Sequence, residues 1–382
     1  MDFSLDEQTM AVKDLCRDFA AKEIAPYAAE WSRQAAFPSE TFCKLGRLGL
    51  TGMLVEEKYG GSDTGMVAYV AAMEELGRAD QSFAAAWNAH STIASLPLAK
   101  FGSHVQKERW LRPLAEGRNI GAFGLTEPDA GSDAAGIKTR AVRDGDGWVL
   151  NGNKIFISNA GTNVTLGVTA LARTGEDLDG RKRFGVFFVP TGTPGFTLGE
   201  PMRKLGWHAL DTRELVFADC YLPTDHLIGD EGNGLRHFLD VLDPGRISIA
   251  ALSLSLAQAA MEMAVSHAKQ RVQFGKPLSH FQAVAHRLAD MATEVEAARW
   301  LVYRAAWLAD RGAPYSSAAA MAKLYASEVA NRVASASVQV HGGYGFMLES
   351  PISRFYADAK ILEIGEGTSE IQRDVIARRL LA

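Results

Sequence analysis

From Arg246 to Gln270 the chain reads RISIAALSLSLAQAAMEMAVSHAKQ, apolar or small on almost every side of a helix. A helix with no polar face has to be enclosed by other elements, so this stretch demands a bundle. Its partners can be read from the same region. Val284, Leu288, Met291, Val295, Ala298, Val302 and Ala305 recur at spacings that alternate four and three, the seam between near-antiparallel helices. Ser316 to Gln339 and Ser369 to Leu381 complete a four-helix arrangement that begins near Asn233.

The N-terminal third also reads as helices. Ser4-x-x-Glu7 is a capping box, followed by Val12, Leu15, Cys16, Phe19 and Ala20 at helical spacing up to Pro26. Further helices are expected around Ser39 to Leu48, Met66 to Leu76, Phe83 to Phe101 and Val105 to Ala115, with Ser103-x-x-Gln106 a second cap signal. Trp87, His90 and Ser91 fall within one of them and read as core residues or pocket lining. Near Gly121 the pattern changes to β-branched and aromatic residues alternating with turn dipeptides, the signature of antiparallel strands. Asp144-Gly145 and Asn151-Gly152 are the strongest turn signals, with strands expected at Trp148 to Leu150, Lys154 to Ile157, Val164 to Ala172, Phe184 to Val189 and Leu215 to Ala218. The expected fold is mainly α with a β middle domain: an N-terminal helical domain over 1–119, a small β-barrel or sandwich over 120–229, and a C-terminal four-helix bundle over 230–382.

Charge and cysteine content narrow the function. With 45 acidic against 40 basic residues the net charge is −5, which disfavours nucleic acid as a partner. No uninterrupted apolar run reaches the roughly 18–20 residues of a membrane span, and Met1-Asp2-Phe3-Ser4-Leu5 opens no signal peptide. The chain therefore reads as cytoplasmic, or as a mitochondrial matrix protein after processing. Cys16, Cys43 and Cys220 are too few and too scattered for a disulfide framework, and no ligand spacing among the histidines suggests a metal.

The most chemically loaded stretch is Ile364-Gly365-Glu366-Gly367-Thr368-Ser369-Glu370-Ile371-Gln372-Arg373, a carboxylate between glycines just before a helix capped by Ser369 with Gln372, or by Thr368. The glycines can take dihedrals closed to other residues and let a ligand approach the main chain. A helix N-terminus would lower the pKa of Glu366 and burial beside an apolar ligand would raise it; a general base needs burial to win. Otherwise Glu366 is a solvated acid complementing the helix dipole.

Four more segments stand out. They are the hydroxyl-rich loop Ala122-Phe123-Gly124-Leu125-Thr126-Glu127-Pro128-Asp129-Ala130-Gly131-Ser132-Asp133, the strand Lys154-Ile155-Phe156-Ile157-Ser158-Asn159, the helix end Arg271-Val272-Gln273-Phe274-Gly275-Lys276, and the turn Gln339-Val340-His341-Gly342-Gly343-Tyr344-Gly345. The last offers backbone amides that could cradle an anion such as pyrophosphate. Taken singly, each also has a structural reading as cap, packing or turn. No Gly-x-Gly-x-x-Gly joins a strand to a helix, so a Rossmann site is unsupported.

Together and in this order, the five segments resemble the acyl-CoA dehydrogenase family of flavoproteins, along essentially the whole chain from Phe3-Ser4-Leu5 to Ile376-Ala377-Arg378-Arg379-Leu380. The resemblance implies FAD as cofactor and a homotetramer built as a dimer of dimers. It implies that Phe123, Leu125 and Thr126 meet the flavin, and that Phe156 and Ser158, where the family often has Trp and Thr, cover its other face near N5. Arg271, Phe274 and Gln282 would hold the pyrophosphate and adenosine. Gln339, Val340, Gly342 and Gly343 would reach them from a neighbouring subunit, with Thr368 and Glu370 at the adenine end; position 370 is more often Gln. Ser132, Asp243, Arg246 and Gly367 would line the acyl-CoA site. Glu366 matches the usual base; members that carry the base elsewhere place it just before the arginine equivalent to Arg246, where this chain has Gly245.

The implied reaction is removal of the thioester α-proton by Glu366 while the β-hydrogen leaves as hydride to flavin N5, giving a trans-2-enoyl-CoA. The Glu366 amide and a ribityl hydroxyl would stabilise the enolate-like oxygen, and an electron-transfer flavoprotein would take the electrons, in fatty-acid or amino-acid catabolism. An acyl-CoA oxidase, an acyl-carrier-protein dehydrogenase and a non-enzymatic flavin-carrying binding protein are the rival readings. Gly365, where several members have tyrosine or leucine, widens the space near Cα and Cβ and suggests a short branched, cyclic or otherwise bulky acyl group.

Overall fold

The computed structural model describes residues 4–381; Met1–Phe3, which include the first residue of the family resemblance, and Ala382 lie outside the described residues. The apolar stretch forms a single helix, Leu242–Gln270, buried along most of its length. An 18-residue stretch within Gly234–Gln270 has mean hydropathy 1.4, enough to cross a bilayer, and 78% of it is buried inside the protein. Counting uninterrupted runs misses this segment because isolated Ser and Gln residues break the run without lowering the average much. Its burial is that of a bundle core.

The helices Gln282–Asp310 and Ser316–His341 pack along it, and Ser369–Leu381 lies on Ser316–His341. The inward seam of Gln282–Asp310 is Met291, Val295, Ala298, Val302 and Ala305, the later part of the four-three repeat. The helix Gly65–Ala79, from the N-terminal third, packs on both Leu242–Gln270 and Gln282–Asp310. Tyr69, Phe83 and Trp87 therefore share one hydrophobic cluster with Ile247, Leu254, Val295 and Val302. At Gly77 a Cβ would collide with the Ser255 side chain, so the two helices pack closely there.

Helix starts differ in detail from the sequence reading. Helix Glu7–Phe19 is capped by Asp6, whose Oδ1 accepts from the Thr9 amide at 2.7 Å, rather than by Ser4. The Ser103 and Gln106 box forms as expected. The long helix expected from Phe83 to Phe101 is Gln81–Asn88, a π-helical turn Ala89–Ala94, and Leu96–Phe101. The helix Gly234–Leu239 begins where helices are expected to return, near Asn233, whereas Ala28–Gln34 and Pro351–Ala359 have no counterpart in the sequence reading.

The middle of the chain forms one eight-stranded sheet: β1 Ile120–Gly124, β2 Arg140–Asp144, β3 Gly147–Ser158, β4 Thr165–Glu176, β5 Lys182–Pro190, β6 Phe196–Leu198, β7 Thr212–Pro223 and β8 Leu227–Gly232. The order is β6-β7-β3-β2-β4-β5-β8, with β1 parallel to β4, so the sheet is mixed rather than purely antiparallel. Trp148, Val168, Phe187, Phe196 and Phe217 share one cluster, so the sheet curls around its own interior. On β5 the alternate residues Val186 and Phe188 face the opposite way, towards Trp110 and Phe238 of the helices.

Asn151-Gly152 is not a turn. β3 runs straight through it, and the register against β7 shifts between Leu150 and Gly152. Gly152 has φ 146°, and a Cβ there would strike Thr139, so the glycine serves a bulge rather than a hairpin.

Candidate active site

Glu366 sits between the tight turn Lys360–Glu363 and the helix Ser369–Leu381. The left-handed backbone belongs to Glu366 itself, at φ 53°, and to Gly367, at φ 95°; Gly365 has no positive φ. A glutamate held in this region is strained unless its surroundings impose it. Lys323 Nζ donates to the Gly367 carbonyl at 2.7 Å, and Gln372 Nε2 donates to the same carbonyl at 2.8 Å and to that of Glu366 at 3.4 Å. The cap of the following helix is Thr368, whose Oγ1 accepts from the Ile371 amide at 3.3 Å. Ser369 is already helical, and Gln372 braces the loop rather than closing a box with it.

The carboxylate of Glu366 points inward. Asn88 Nδ2 donates to Oε1 at 2.8 Å, while Oε2 is buried without a hydrogen-bond partner. Desolvation pushes the acid up to about 7, against the lowering effects of the Asn88 hydrogen bond and the charges of Lys323 and Arg246. Burial therefore outweighs the Asn88 hydrogen bond and the two nearby cations, the balance a general base needs. Lys323 is itself fully buried and pushed down to about 8 by desolvation, with Glu366, Glu363 and Glu370 opposing that fall. Tyr69, fully buried and hydrogen-bonded to Ser248 Oγ at 2.8 Å, is raised above the ordinary phenol range by burial, with Glu366 adding to the rise.

The Leu125 to Glu127 loop and the Phe156 strand are locked together by a buried ion pair. Lys154 Nζ donates to Glu127 Oε1 at 2.8 Å and to the Leu125 carbonyl at 3.1 Å, and the Ile155 amide donates to the Thr126 carbonyl at 2.9 Å. The second carboxylate oxygen of Glu127 accepts from the Lys138 amide. Beside this brace Phe156 is 65% exposed and has φ 61°, an aromatic held out from the protein in a rarely used conformation. Ser158 is half-buried, and the next residue, Asn159, donates from Nδ2 to the Ala86 carbonyl at 2.9 Å. One helix end, Ala86 to Asn88, thus ties the strand of Phe156 and Ser158 to Glu366. The ring of Phe123 stacks on Phe238 with centroids 4.3 Å apart, beneath the loop.

The remaining expected residues fall in two places. Arg271, Val340, Gly342 and Gly343 line one recess of about 530 Å³ with His267, His341 and Tyr344. The Gly342 amide is not free to meet an anion, since it donates to the Val338 and Gln339 carbonyls at 3.0 and 3.2 Å as the end of the helix. Gln339 and Gln282 are exposed, and Phe274 is 93% exposed at φ 49°. Glu370 is exposed on the first turn of its helix, its pKa lowered by its own backbone amide first. At the other place Arg246 pairs with Asp243, leaving its buried Nε without a partner, while Ser132 is exposed on its loop.

Sequence comparison decides what this arrangement belongs to. The N-terminal, middle and C-terminal domain profiles of acyl-CoA dehydrogenase match residues 6–118, 122–220 and 232–381. The chain belongs to the acyl-CoA dehydrogenase family. It is 44% identical over 385 residues to the short-chain specific acyl-CoA dehydrogenase of Megasphaera elsdenii, covering 100% of both chains. The butyryl-CoA dehydrogenase structure from the same organism superposes with TM-score 0.96 at 43% identity, again over 100% of both. A chain in a structure of the electron transferring flavoprotein of Acidaminococcus fermentans matches with TM-score 0.96 and 42% identity over 100% of both. The protein is accordingly an oxidoreductase of the acyl-CoA dehydrogenase type, and the cofactor of the family is FAD.

The residues present fit such a cofactor. An exposed aromatic in a strained conformation suits a flat ring, and a recess lined by Arg271 and two histidines suits a doubly anionic linker. Three groups important to the geometry were not found from the sequence: Asn88, Lys323 and the Lys154–Glu127 pair. Asn88 and Lys323 lie inside ordinary-looking helices, and only a buried polar residue on an otherwise apolar face could have flagged them.

Proposed function

We propose that this acyl-CoA dehydrogenase oxidises a short acyl-CoA to the trans-2-enoyl-CoA, with Glu366 as the base that takes the α-proton. The observation that carries the reading is the Glu366 carboxylate, whose Oε2 is buried without a partner and whose pKa is raised to about 7. At neutral pH such an acid is part ionised, so it can accept a proton and release it again. Lys323 holds the carbonyl of Gly367 and so keeps Glu366 in its inward conformation. Burial of the surrounding side chains excludes water, which would otherwise solvate the carboxylate and weaken it as a base.

When bound, FAD supplies the acceptor for the β-hydride. Leu125, Thr126, Phe156 and Ser158 would hold its ring, with Phe123 packed beneath. Arg271, Phe274, Gln282, Gln339, Val340, Gly342, Gly343, Thr368 and Glu370 would hold the rest, part of it across subunits of a homotetramer. Ser132, Arg246 with Asp243, and Gly367 would take the acyl-CoA. The likeness to a chain in an electron transferring flavoprotein structure supports a protein of that kind as electron acceptor.

The names of the relatives support a short acyl chain. Beside the base, the nearest atom to a Cβ built on Gly365 is the Ile361 carbonyl oxygen at 3.6 Å, which leaves room for a branch near the reacting carbons. Anaerobic titration with butyryl-, isobutyryl- and octanoyl-CoA, read as loss of the flavin band, tests both points. Bleaching by the C4 thioesters supports the reading, and exclusive bleaching by octanoyl-CoA defeats it. Glu366→Gln should keep FAD and lose bleaching.

A further inference from the structure

We infer that Asn88 is the positioning residue of the base: by binding Oε1 of Glu366 it leaves Oε2, on the side of Gly245 and Ile93, as the oxygen that takes the proton. The inference rests on Glu366 being that base. Asn88 is 3% exposed and ends the helix Gln81–Asn88, where the backbone opens into the π-helical turn Ala89–Ala94. Such turns widen the helix locally and recur at functional sites. Here the turn brings Thr92 back onto Asn88. Its hydroxyl lies 2.9 Å from the Asn88 carbonyl oxygen and 3.3 Å from Oδ1.

The orientation of the amide follows from chemistry. A carboxylate can only accept, so the NH₂ of Asn88 must face Glu366, and its Oδ1 then faces the Thr92 hydroxyl. With its NH₂ on Oε1 and its Oδ1 sharing the Thr92 hydroxyl proton with the backbone carbonyl, the amide is oriented to serve Oε1 rather than Oε2. A Cβ at residue 245 would occupy the space of that oxygen, and Ile93 Cγ2 stands on the same side. Oε2 is thus a buried acceptor whose unmet demand a proton satisfies.

The hydrogen bond to Oε1 also favours the charged form and counters burial. The other titratable and charged groups facing Glu366 are Lys323 from Ser316–His341, Arg246 from Leu242–Gln270, and Tyr69 from Gly65–Ala79. None of these contacts Oε1 or Oε2 by a hydrogen bond among the described residues, so Asn88 alone can discriminate between the two oxygens.

The test uses the FAD-loaded protein with Asn88→Leu, which keeps the side-chain size and removes the donor, and Thr92→Val, which loosens Asn88 without touching the base. Two readouts are compared: the pH profile of flavin bleaching by butyryl-CoA, and the ¹³C-carboxyl titration of Glu366, assigned by its absence in Glu366→Gln. Asn88→Leu should raise both midpoints by about one pH unit, with KM little changed, and Thr92→Val should move them the same way by less. Should Asn88→Leu not fold, Thr92→Val carries the test. An inactive Glu366→Gln with unmoved midpoints in the Asn88 and Thr92 variants overturns this inference alone. A Glu366→Gln protein that still bleaches its flavin overturns the base assignment and this inference with it.

Discussion

Gly245 and Glu366 occupy one space from two elements: a Cβ on residue 245 would overlap Oε2 of Glu366, and would stand 3.2 Å from Ile93 Cγ2. The sequence already set these positions against each other, since the family can carry its base at either. The structure supplies the reason. Both backbones aim a side chain at the same point, so a carboxylate from one requires the absence of a side chain at the other.

Gly245→Ala should therefore displace the carboxylate without disturbing the cofactor site. A misplacement of about 1 Å can cost roughly 100-fold in rate. The expected result is a fall in kcat of that order with normal FAD content. Combining Gly245→Glu with Glu366→Gly should recover part of the activity, measured as acyl-CoA-dependent bleaching.

Glu366→Gln removes both the base and a buried titrating group. The rate should fall by about 10²–10⁴-fold or more. The stability change has a definite sign. The folded-state pKa is raised from 4.5 to about 7, so the folded protein binds the proton more tightly, and this contribution is present below pH 4.5 and lost as pH rises through about 7. The Gln variant lacks that loss. Urea unfolding at pH 5 and pH 8 should show the variant gaining on the wild type at the higher pH.

Lys154 and Glu127 hold each other inside the middle domain and brace the loop carrying Thr126. Lys154→Met leaves the Glu127 charge buried and unpaired, which typically costs about 3–5 kcal/mol. Adding Glu127→Gln should restore much of that loss. A thermal or urea double-mutant cycle measures the coupling, and FAD retention after gel filtration should be weaker in the single variant than in the double.

Asp358, buried in the helix Pro351–Ala359, accepts the Trp207 amide with Oδ1 and is raised from 3.8 to about 7, mainly by desolvation. Asp358→Asn can keep the accepted hydrogen bond while removing the titration. Stability of the wild type should decline relative to the variant as pH climbs from 3.8 to about 7. Asp358→Ala leaves the Trp207 amide unmet and should destabilise at every pH, by about 1–3 kcal/mol.

What local pattern can encode was legible in advance. The seam from Met291 to Ala305 faces the bundle because its period is that of a helix against a helix. Strands β3, β4, β5 and β7 lie where β-branched and aromatic residues cluster. Errors fell where one dipeptide fits two backbones. Asn151-Gly152 reads as a hairpin turn, but Asn151 pairs through its side chain with Asp219 of the neighbouring strand and the glycine makes a bulge. Thr368 and Ser369 are equivalent as caps until the helix start is fixed.

The amino-acid order determined the helices, the strand-rich middle and the acid beside Gly367, because each depends on neighbours within a few residues. The protonation of that acid was decided by folding alone. It depends on how much water is excluded around one carboxylate and on which groups reach it, and the decisive hydrogen bond comes from Asn88, 278 residues away along the chain. Desolvation and long-range contact sum over the packed volume, so no local window contains them.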